Sequence, residues 1–446
     1  MKILLALVLS TISLQAATDL RAGVSRVNIT PPVPVWLAGY AARTQQAQTV
    51  SADLYAKALA IEDGSGGRIV MVTTDLIGLP REVSDKVAEG VRKRFGLKRS
   101  ELLLNSSHTH TGPVVWPILN VMLDLTPAEQ KPLRDYAERL SEQLVNVAGE
   151  ALRNIAPVQI SFGEGEADFA INRRAAKLAQ LNPGKQIIAP IDHSVPVLRV
   201  QRKDGSLLAI LFGYACHNTT MTAEFNEVGA DYAGFAQAAI ERAHPGATAL
   251  FLMLCGGDQN PDPRSKREYA LKYGNDLAQS VDRVIGGRMQ PVSGPIRPAY
   301  KEIDLPFAPN SREQFVTEST NPDVFRRRRA RFMLERYDRG QPIQSVQYPV
   351  QAIRFDKLTV VALGGEVVVD FALRLKREFP NTPLIVAGYS NVVMSYIPSE
   401  RVLNEGGYEG EEAMIYYGLP GKYAPGVEDR IVTAVHEVVN ASTAVR

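Results

Sequence analysis

Five times along the chain a short apolar run ends abruptly on a loop of small and polar residues. Leu102–Leu104 runs into Asn105-Ser-Ser-His-Thr-His-Thr-Gly-Pro113, Leu207–Phe212 into Gly213-Tyr-Ala-Cys-His-Asn218, and Ala249–Leu254 into Cys255-Gly-Gly-Asp-Gln-Asn-Pro261. Leu358–Leu363 runs into Gly364-Gly-Glu366, and Leu384–Ala387 leads to Ser390-Asn-Val-Val-Met-Ser-Tyr396. Runs this short read as strands, and the loop at a strand's end is where active-site side chains are commonly displayed. The pattern therefore demands a sheet-based fold and points to strand ends for any chemistry.

Other segments fill in the frame. Leu54–Ile61 with Ile69–Thr73 around Gly64–Gly67, Val195–Val200 with Leu207–Phe212 around Lys203-Asp-Gly205, and Val350–Phe355 with Leu358–Leu363 are predicted β-hairpins. Helices are predicted over Glu82–Phe95, Tyr232–Ala243, Tyr269–Ile285 and Val369–Phe379, and over Ala128–Leu152, where Tyr136, Leu140, Leu144, Val147 and Ala151 recur at helical intervals. A Pro-rich connector is expected after Ile285. Strands and helices alternate, so the fold class is α/β, with mixed β-sheets, hairpins and flanking helices rather than a clean parallel sheet. No repeat and no low-complexity linker divides the 446 residues, which predicts a single domain over 18–446.

Against 50 Lys and Arg stand 48 Asp and Glu, interspersed so that no field of one sign is available to draw in a polyanion. Nucleic acid is thereby excluded as a partner. The one basic cluster, Arg326 to Arg329 with Arg331, sits among Phe325, Phe332, Met333 and Tyr337 at helical spacing and reads as a solvated helix face. At the amino terminus, Lys2, the apolar run Ile3 to Leu9 and the small residues Ala16 and Ala17 have the layout of a secretory signal peptide over residues 1–17. Export to the periplasm or the medium follows as an expectation. No later stretch reaches the roughly 18 to 20 apolar residues of a transmembrane span, which leaves only peripheral membrane contact open. Cys216 and Cys255 lack CxxC spacing and are expected as small buried residues beside a site, not as metal ligands.

His108 and His110 share one polar strand-end loop, where their rings face the same way only if the backbone is extended. His217, followed by Asn218-Thr-Thr220, has the same setting, whereas His193, His244 and His436 do not. Any single histidine is more often a hydrogen-bonded structural residue; a pair in a strand-end loop favours function. A catalytic zinc needs three or four N and O donors and a place for water, so two histidines do not suffice. Glu366, on a glycine loop, is a reasonable third and only one candidate among 48 acidic residues.

Taken in order, AGVSRVNITPP with LAGY, NSSHTHTGP, the INR of Ile171 to Arg173, ACHNTT, GGDQNP, GGE, and SYIPSERV followed by YEG resemble the motifs of the neutral/alkaline non-lysosomal ceramidase family, from about Arg21 to Gly418. Each motif alone is weak, and the ordered set is specific. The resemblance implies a neutral-ceramidase-like catalytic domain and an exported hydrolase of a linear N-acyl amide, ceramide or a ceramide-like lipid, working through zinc-activated water. It places one Zn²⁺ per chain on His108, His217, Glu366 and Tyr396, and lines the substrate amide with His110, Arg173 and Tyr408. With such ligands a water's pKa falls from about 15.7 toward about 7. Charge developing on the carbonyl oxygen would then be met by the metal with Arg173, His110 or Tyr408, and His110 or Tyr408 would protonate the leaving amine.

Two departures from the family stand out. Its Gly-Asp-Val-Ser-Pro-Asn motif is Gly257-Asp-Gln-Asn-Pro261 here, so Asn260 replaces the serine and excludes a mechanism with that hydroxyl as nucleophile. An amide can still donate a hydrogen bond to substrate or water. Asp258 is assigned to orient a ligand from behind. The family's carboxy-terminal immunoglobulin-like domain finds no room in the 28 residues after Gly418. Two other readings stay open: a zinc esterase or lactonase on a small substrate, and a non-catalytic exported binding protein with a structural zinc. The last has no use for His110, Arg173 and Tyr408.

Overall fold

Successive strand residues point to opposite faces, so a run such as Leu102–Leu104 needs cover on both sides. The computed structural model, which describes residues 19–181, 183–184 and 189–443, shows what supplies it. A nine-stranded sheet holds β1 (Leu20–Asn28), β2 (Tyr55–Asp63), β3 (Arg68–Thr74), β4 (Leu102–Ser106), β5 (Ala156–Glu166), β7 (Ser194–Arg202), β8 (Leu207–Tyr214), β9 (Thr248–Met253) and β11 (Gln290–Val292). Their order is β4-β3-β2-β1-β5-β7-β8-β9, with β11 on β5. A second sheet runs β12 (Arg297–Pro306), β13 (Ser345–Arg354), β14 (Thr359–Leu363), β16 (Leu384–Ala387). Two short ladders join β6 (Ala170–Asn172) to β10 (Gln259–Pro261) and β15 (Glu366–Val367) to β17 (Tyr396–Ile397).

Alternate residues of one strand serve different cores. Leu59, Ile61, Ile69, Met71 and Leu103 of the large sheet meet Ile353, Val360, Ala362 and Ile385 of the smaller one. Their neighbours Ala58, Ala60, Val70, Val72 and Leu102 pack on Val83, Val87 and Val91 of helix Arg81–Phe95 and on Leu140 and Leu144 of helix Pro127–Arg153. On the far side, Val350, Ala352, Val361 and Leu363 meet Phe371 and Leu375 of helix Asp370–Glu378 and Ile431, Val435 and Val438 of helix Val427–Thr443. The layers are therefore helix, sheet, sheet, helix, and both sheets are mixed, as the α/β reading required. At about 1.5–3 kcal/mol for each fully buried Val or Leu, this packing outweighs the modest intrinsic propensities of the helices it holds.

What positions the loops is the meeting of strand ends. β4 and β9 are the two outer strands of the large sheet, yet the Asn105 side chain links them, accepting from Met253 N at 2.8 Å and donating to Met253 O at 3.2 Å. The same amide donates to Gly388 O at 2.8 Å, just past β16. Isolated bridges between Asn105 and Ser390 and between Leu254 and Ala387 complete the junction. The loops after β4, β9 and β16 are thus drawn to one place.

The three hairpins form, and the five predicted helices begin and end within two residues of the expected positions. Two expectations need correction. The Pro-rich stretch after Ile285 contains β12, whose prolines are tolerated because it is an edge strand. The basic cluster in helix Val324–Asp338 is not a solvated face: Arg329 is buried against Glu318, with Nε donating at 3.1 Å, and Arg328 donates to Val121 O and Met122 O. Guanidinium groups reach partners outside their own helix, which spacing within the helix cannot reveal. β1, β5 and the helix Val427–Thr443 were not anticipated at all. No helix among the described residues is long and apolar enough to cross a membrane, and the signal peptide inferred over 1–17 lies outside the described residues.

Candidate metal centre

His108 leaves β4 in a left-handed conformation, φ 64°. Its amide donates to Leu76 O at 2.8 Å and its Nδ1–H to Ile77 O at 2.6 Å, which turns Nε2 inward. His217, after β8, is held in the same manner, its amide on Gln259 O at 2.9 Å and its Nδ1–H on Gly256 O at 2.8 Å. Both rings are fixed as the tautomer with a lone pair on Nε2. Glu366 and Tyr396 arrive from the other side, opposite one another in the parallel β15/β17 ladder. Glu366 Oε2 lies 3.1 Å from Nε2 of both His108 and His217, and Tyr396 OH lies 3.1 Å from His217 Nε2. All four side chains are buried.

His110 joins them, its Nε2 3.1 Å from His108 Nε2 and its ring 4.7 Å from that of Tyr40. The two rings converge without the extended backbone that their spacing seemed to require. The left-handed turn at His108 and a bridge between Thr109 and Asn218 achieve it, with Asn218 Nδ2 donating to Ser107 O at 2.6 Å. Among the described residues His108, His110 and His217 bring one nitrogen each within 4.8 Å of one another, so this trio could hold a metal ion.

The chemistry of the donors suits a cation. Burial, reinforced by Arg173, pushes His217 down to about 4, and burial pushes His110 well below the usual imidazole range. Burial works against the Glu366 carboxylate, and positive charge at the facing imidazoles, which a cation between them would equally supply, outweighs it and holds the group well below its ordinary range. Unprotonated nitrogens and a carboxylate oxygen 3.1 Å apart are acceptors turned on one another, and a cation among them would convert that repulsion into ligation. The other carboxylate oxygen, Oε1, accepts from Tyr417 OH at 2.5 Å.

Arg173 ties this cluster to its surroundings. Nη2 donates to Tyr396 OH and Gly257 O, both at 3.0 Å, Nη1 to Asn260 Oδ1 at 3.2 Å, and Nε to Glu409 Oε1 at 2.7 Å. Its guanidinium lies 5.6 Å from the Tyr396 ring centroid and 5.5 Å from that of Tyr408. Among the described residues no hydrogen bond joins Asp258 directly to a donor side chain. Its carboxylate accepts from Asn172 Nδ2 at 2.8 Å and Val369 N at 2.9 Å, and its carbonyl accepts from the Arg173 amide, so it braces the segments carrying Arg173 and Glu366. Burial pushes the Asp258 carboxyl up to about 6.

Above the donors opens a cavity of about 420 Å³ lined by His110, Arg173, Asn260, Tyr396 and Tyr408, together with Tyr40, Arg174, Thr219, Arg264, Glu405 and Glu409. Because Asn260 Oδ1 is taken by Arg173, its Nδ2 is the atom without a partner among the described residues. Tyr40 and Glu409 sit inside the LAGY and YEG motifs yet gave no individual signal. Tyr417, next to Tyr416, and Tyr389, whose ring packs 4.6 Å from that of His108, are tyrosines that no spacing marks. Cys216 and Cys255 are buried free thiols beside the centre, as expected. His193, His244 and His436 make structural bonds elsewhere, to Ala170 O, Asp282 and Glu378.

The family model for neutral/alkaline non-lysosomal ceramidase, N-terminal, matches residues 20–297. That segment carries His108, His110, Arg173, His217, Asp258 and Asn260, while Glu366, Tyr396 and Tyr408 lie beyond it. The chain is 23% identical over 451 residues to a neutral ceramidase of Mycobacterium tuberculosis, covering 83% of this chain and 70% of that one. It is 26% identical over 275 residues to the neutral ceramidase of Pseudomonas aeruginosa, covering 58% and 40%, and 25% identical over 261 residues to that of Drosophila melanogaster, covering 54% and 36%. The latter two matches thus span well under half of those relatives. The crystal structure of neutral ceramidase from Pseudomonas aeruginosa superposes with a TM-score of 0.75 at 19% identity, over 95% of this chain and 75% of that one, which shows a shared fold.

Proposed function

The chain belongs to the neutral/alkaline non-lysosomal ceramidase family, and on that premise we propose that it is an exported, zinc-dependent hydrolase of a linear N-acyl amide, ceramide-like in the bond it cleaves. The observation that carries the reading is the convergence of His108, His217, Glu366 and Tyr396 on one buried point at the floor of a cavity. We assign one zinc per chain to these four rather than to the three imidazoles. His108 and His217 have Nδ1 anchored on backbone carbonyls, the mark of a ligating ring, whereas His110 Nδ1 is buried without a partner and its ring faces the cavity.

A zinc ion held by these residues would supply Lewis acidity, enough to bring a water's pKa from about 15.7 toward about 7. The chain's own residues do the rest. Arg173 has all but one of its N–H groups engaged, and so fixes Tyr396 and Asn260 while its charge faces the substrate. Asn260 Nδ2 is the donor that meets the carbonyl oxygen or the water, in place of the family's serine. His110 and Tyr408, on the cavity wall, deliver the proton that the leaving amine needs. Removing one donor to the developing oxyanion costs about 3–4 kcal/mol of barrier. One catalytic domain over 18–446 and export through residues 1–17 complete the proposal, the latter on sequence grounds alone.

The test is metal analysis of purified protein joined to a panel of N-acyl amides and matched esters. One zinc per chain, amide turnover lost with a chelator and restored by zinc, supports the proposal. Zero or two metal ions per chain, or ester turnover without amide turnover, sinks it.

A further inference from the structure

The cavity is small for a ligand pocket, about 420 Å³, and among the described residues Leu178 is the one large aliphatic side chain on its wall. The rest of the wall is tyrosine, amide, hydroxyl and charge. Two of its cations are already matched: Arg173 Nε lies 2.7 Å from Glu409, and Arg174 reaches Glu409 at 2.6 Å and Glu405 at 2.9 Å. Arg264 is different. It lines the same cavity, is exposed, and has no hydrogen-bond or ion-pair partner among the described residues.

Its backbone is nevertheless fixed on both sides. Asp262 N donates to Phe169 O at 3.0 Å, Ser265 N to Thr220 O at 2.9 Å, and Ser265 Oγ lies 3.0 Å from Thr222 Oγ1. Glu224, a carboxylate within reach of its field, is exposed and hydrogen-bonded by Thr222 Oγ1. Across the cavity mouth the Arg264 charge also reaches Tyr40, opposing the upward push that burial gives that phenol, and Tyr40 packs on His110. An unmatched guanidinium on a pinned segment, at the rim of a small cavity whose floor is the candidate metal centre, selects for negative charge on what enters.

Resting on the amide-hydrolase reading above, we propose that the substrate is a compact N-acyl amide bearing an anionic oxyacid group, as in an N-acyl amino acid, with Arg264 seating that group. Hydrolysis adds one water across the amide and releases a carboxylic acid and an amine, one of them carrying the anion.

The experiment compares kcat/KM of zinc-loaded protein on N-octanoylglycine, its neutral isostere N-octanoylethanolamine, the O-phosphate of the latter, and a long-chain ceramide, with Arg264→Gln and Arg264→Lys beside the parent. The parent should favour at least one anionic amide over the neutral one by about tenfold, and the glycine and phosphate arms tell carboxylate from phosphate. The ratio should fall to near one in Arg264→Gln and be partly kept in Arg264→Lys. Equal rates on charged and neutral amides, a preference unchanged in Arg264→Gln, or ceramide as the best substrate would overturn it. Calorimetric binding of the same compounds decides the point even where none is cleaved: no turnover of any amide refutes the amide-hydrolase reading, whereas equal affinity for charged and neutral compounds refutes the anion site.

Discussion

Replacing Arg173 by Met, Glu409 by Gln, and both together probes how the centre is held. Glu409 is buried and Arg173 is 20% exposed at the side chain, and they meet at 2.7 Å. Removing one partner of a buried pair costs about 3–5 kcal/mol. Here Glu409 keeps Arg174 at 2.6 Å, and the exposed part of Arg173 is screened, so the lower bound of about 3 kcal/mol applies to Arg173→Met. Glu409→Gln strips Arg173 of its one carboxylate and leaves Arg174 with Glu405, again about 3 kcal/mol. In the double variant neither charge is stranded, so the total should fall short of the sum by about 2 kcal/mol. Urea unfolding followed by the fluorescence of Trp36 and Trp116, with chelator present so that metal binding does not add to stability, measures all four corners. Single-variant losses below about 1 kcal/mol, or additivity within about 0.5 kcal/mol, would refute the account of this pair as a buried, coupled one.

Three further outcomes are expected. Glu366→Gln should lower bound zinc to well under one per chain by elemental analysis, and full zinc content in that variant counts against the assigned donors. Gly39→Ala places a Cβ 2.3 Å from His110 Nδ1 at a φ of 91°, so the ring must shift; kcat should drop about 100-fold with zinc content unchanged, and wild-type kcat would contradict it. Burial pushes Asp231 up from 3.8 to about 6, so between those values the folded chain keeps a proton that the unfolded chain has lost. The stability this confers, about 3 kcal/mol, is present below about pH 4 and lost as pH rises through about 6; Asp231→Asn should lack that part of the slope, read as the difference between two pH profiles of unfolding free energy.

Much of the frame was legible because local pattern and tertiary role agree. The helix of Tyr136, Leu140 and Leu144 buries the stripe its spacing draws, and the apolar runs are strands covered on both faces. What was missed had contrary local signals. β5 carries Gly163 and Gly165, which read as breakers, yet side chains there would collide with Val284 and Ser280 of helix Arg267–Ile285. β12 carries Pro298 and Pro306 and several charges, tolerable only at an edge that sequence cannot locate. At the centre, His108, His110 and His217 stand out by residue type and loop context, whereas Glu366 was one glycine-loop candidate among many until the family resemblance singled it out, and Tyr396 came only with that resemblance. Glu409, Tyr417 and Arg264 owe their place to contacts between distant segments, Glu409 with Arg173 and Tyr417 with Glu366, for which no periodicity exists.

His108 and His217 follow strands of the larger sheet, and Glu366 and Tyr396 follow strands of the smaller one. An ion held among them would be a rivet through the seam of the sandwich. Any slip of one slab across the other, by a truncated Leu103 or Ile353 far from the mouth, is then felt first as a looser grip on that rivet and only later as melting. The centre is thus a strain gauge for the interior on which it rests.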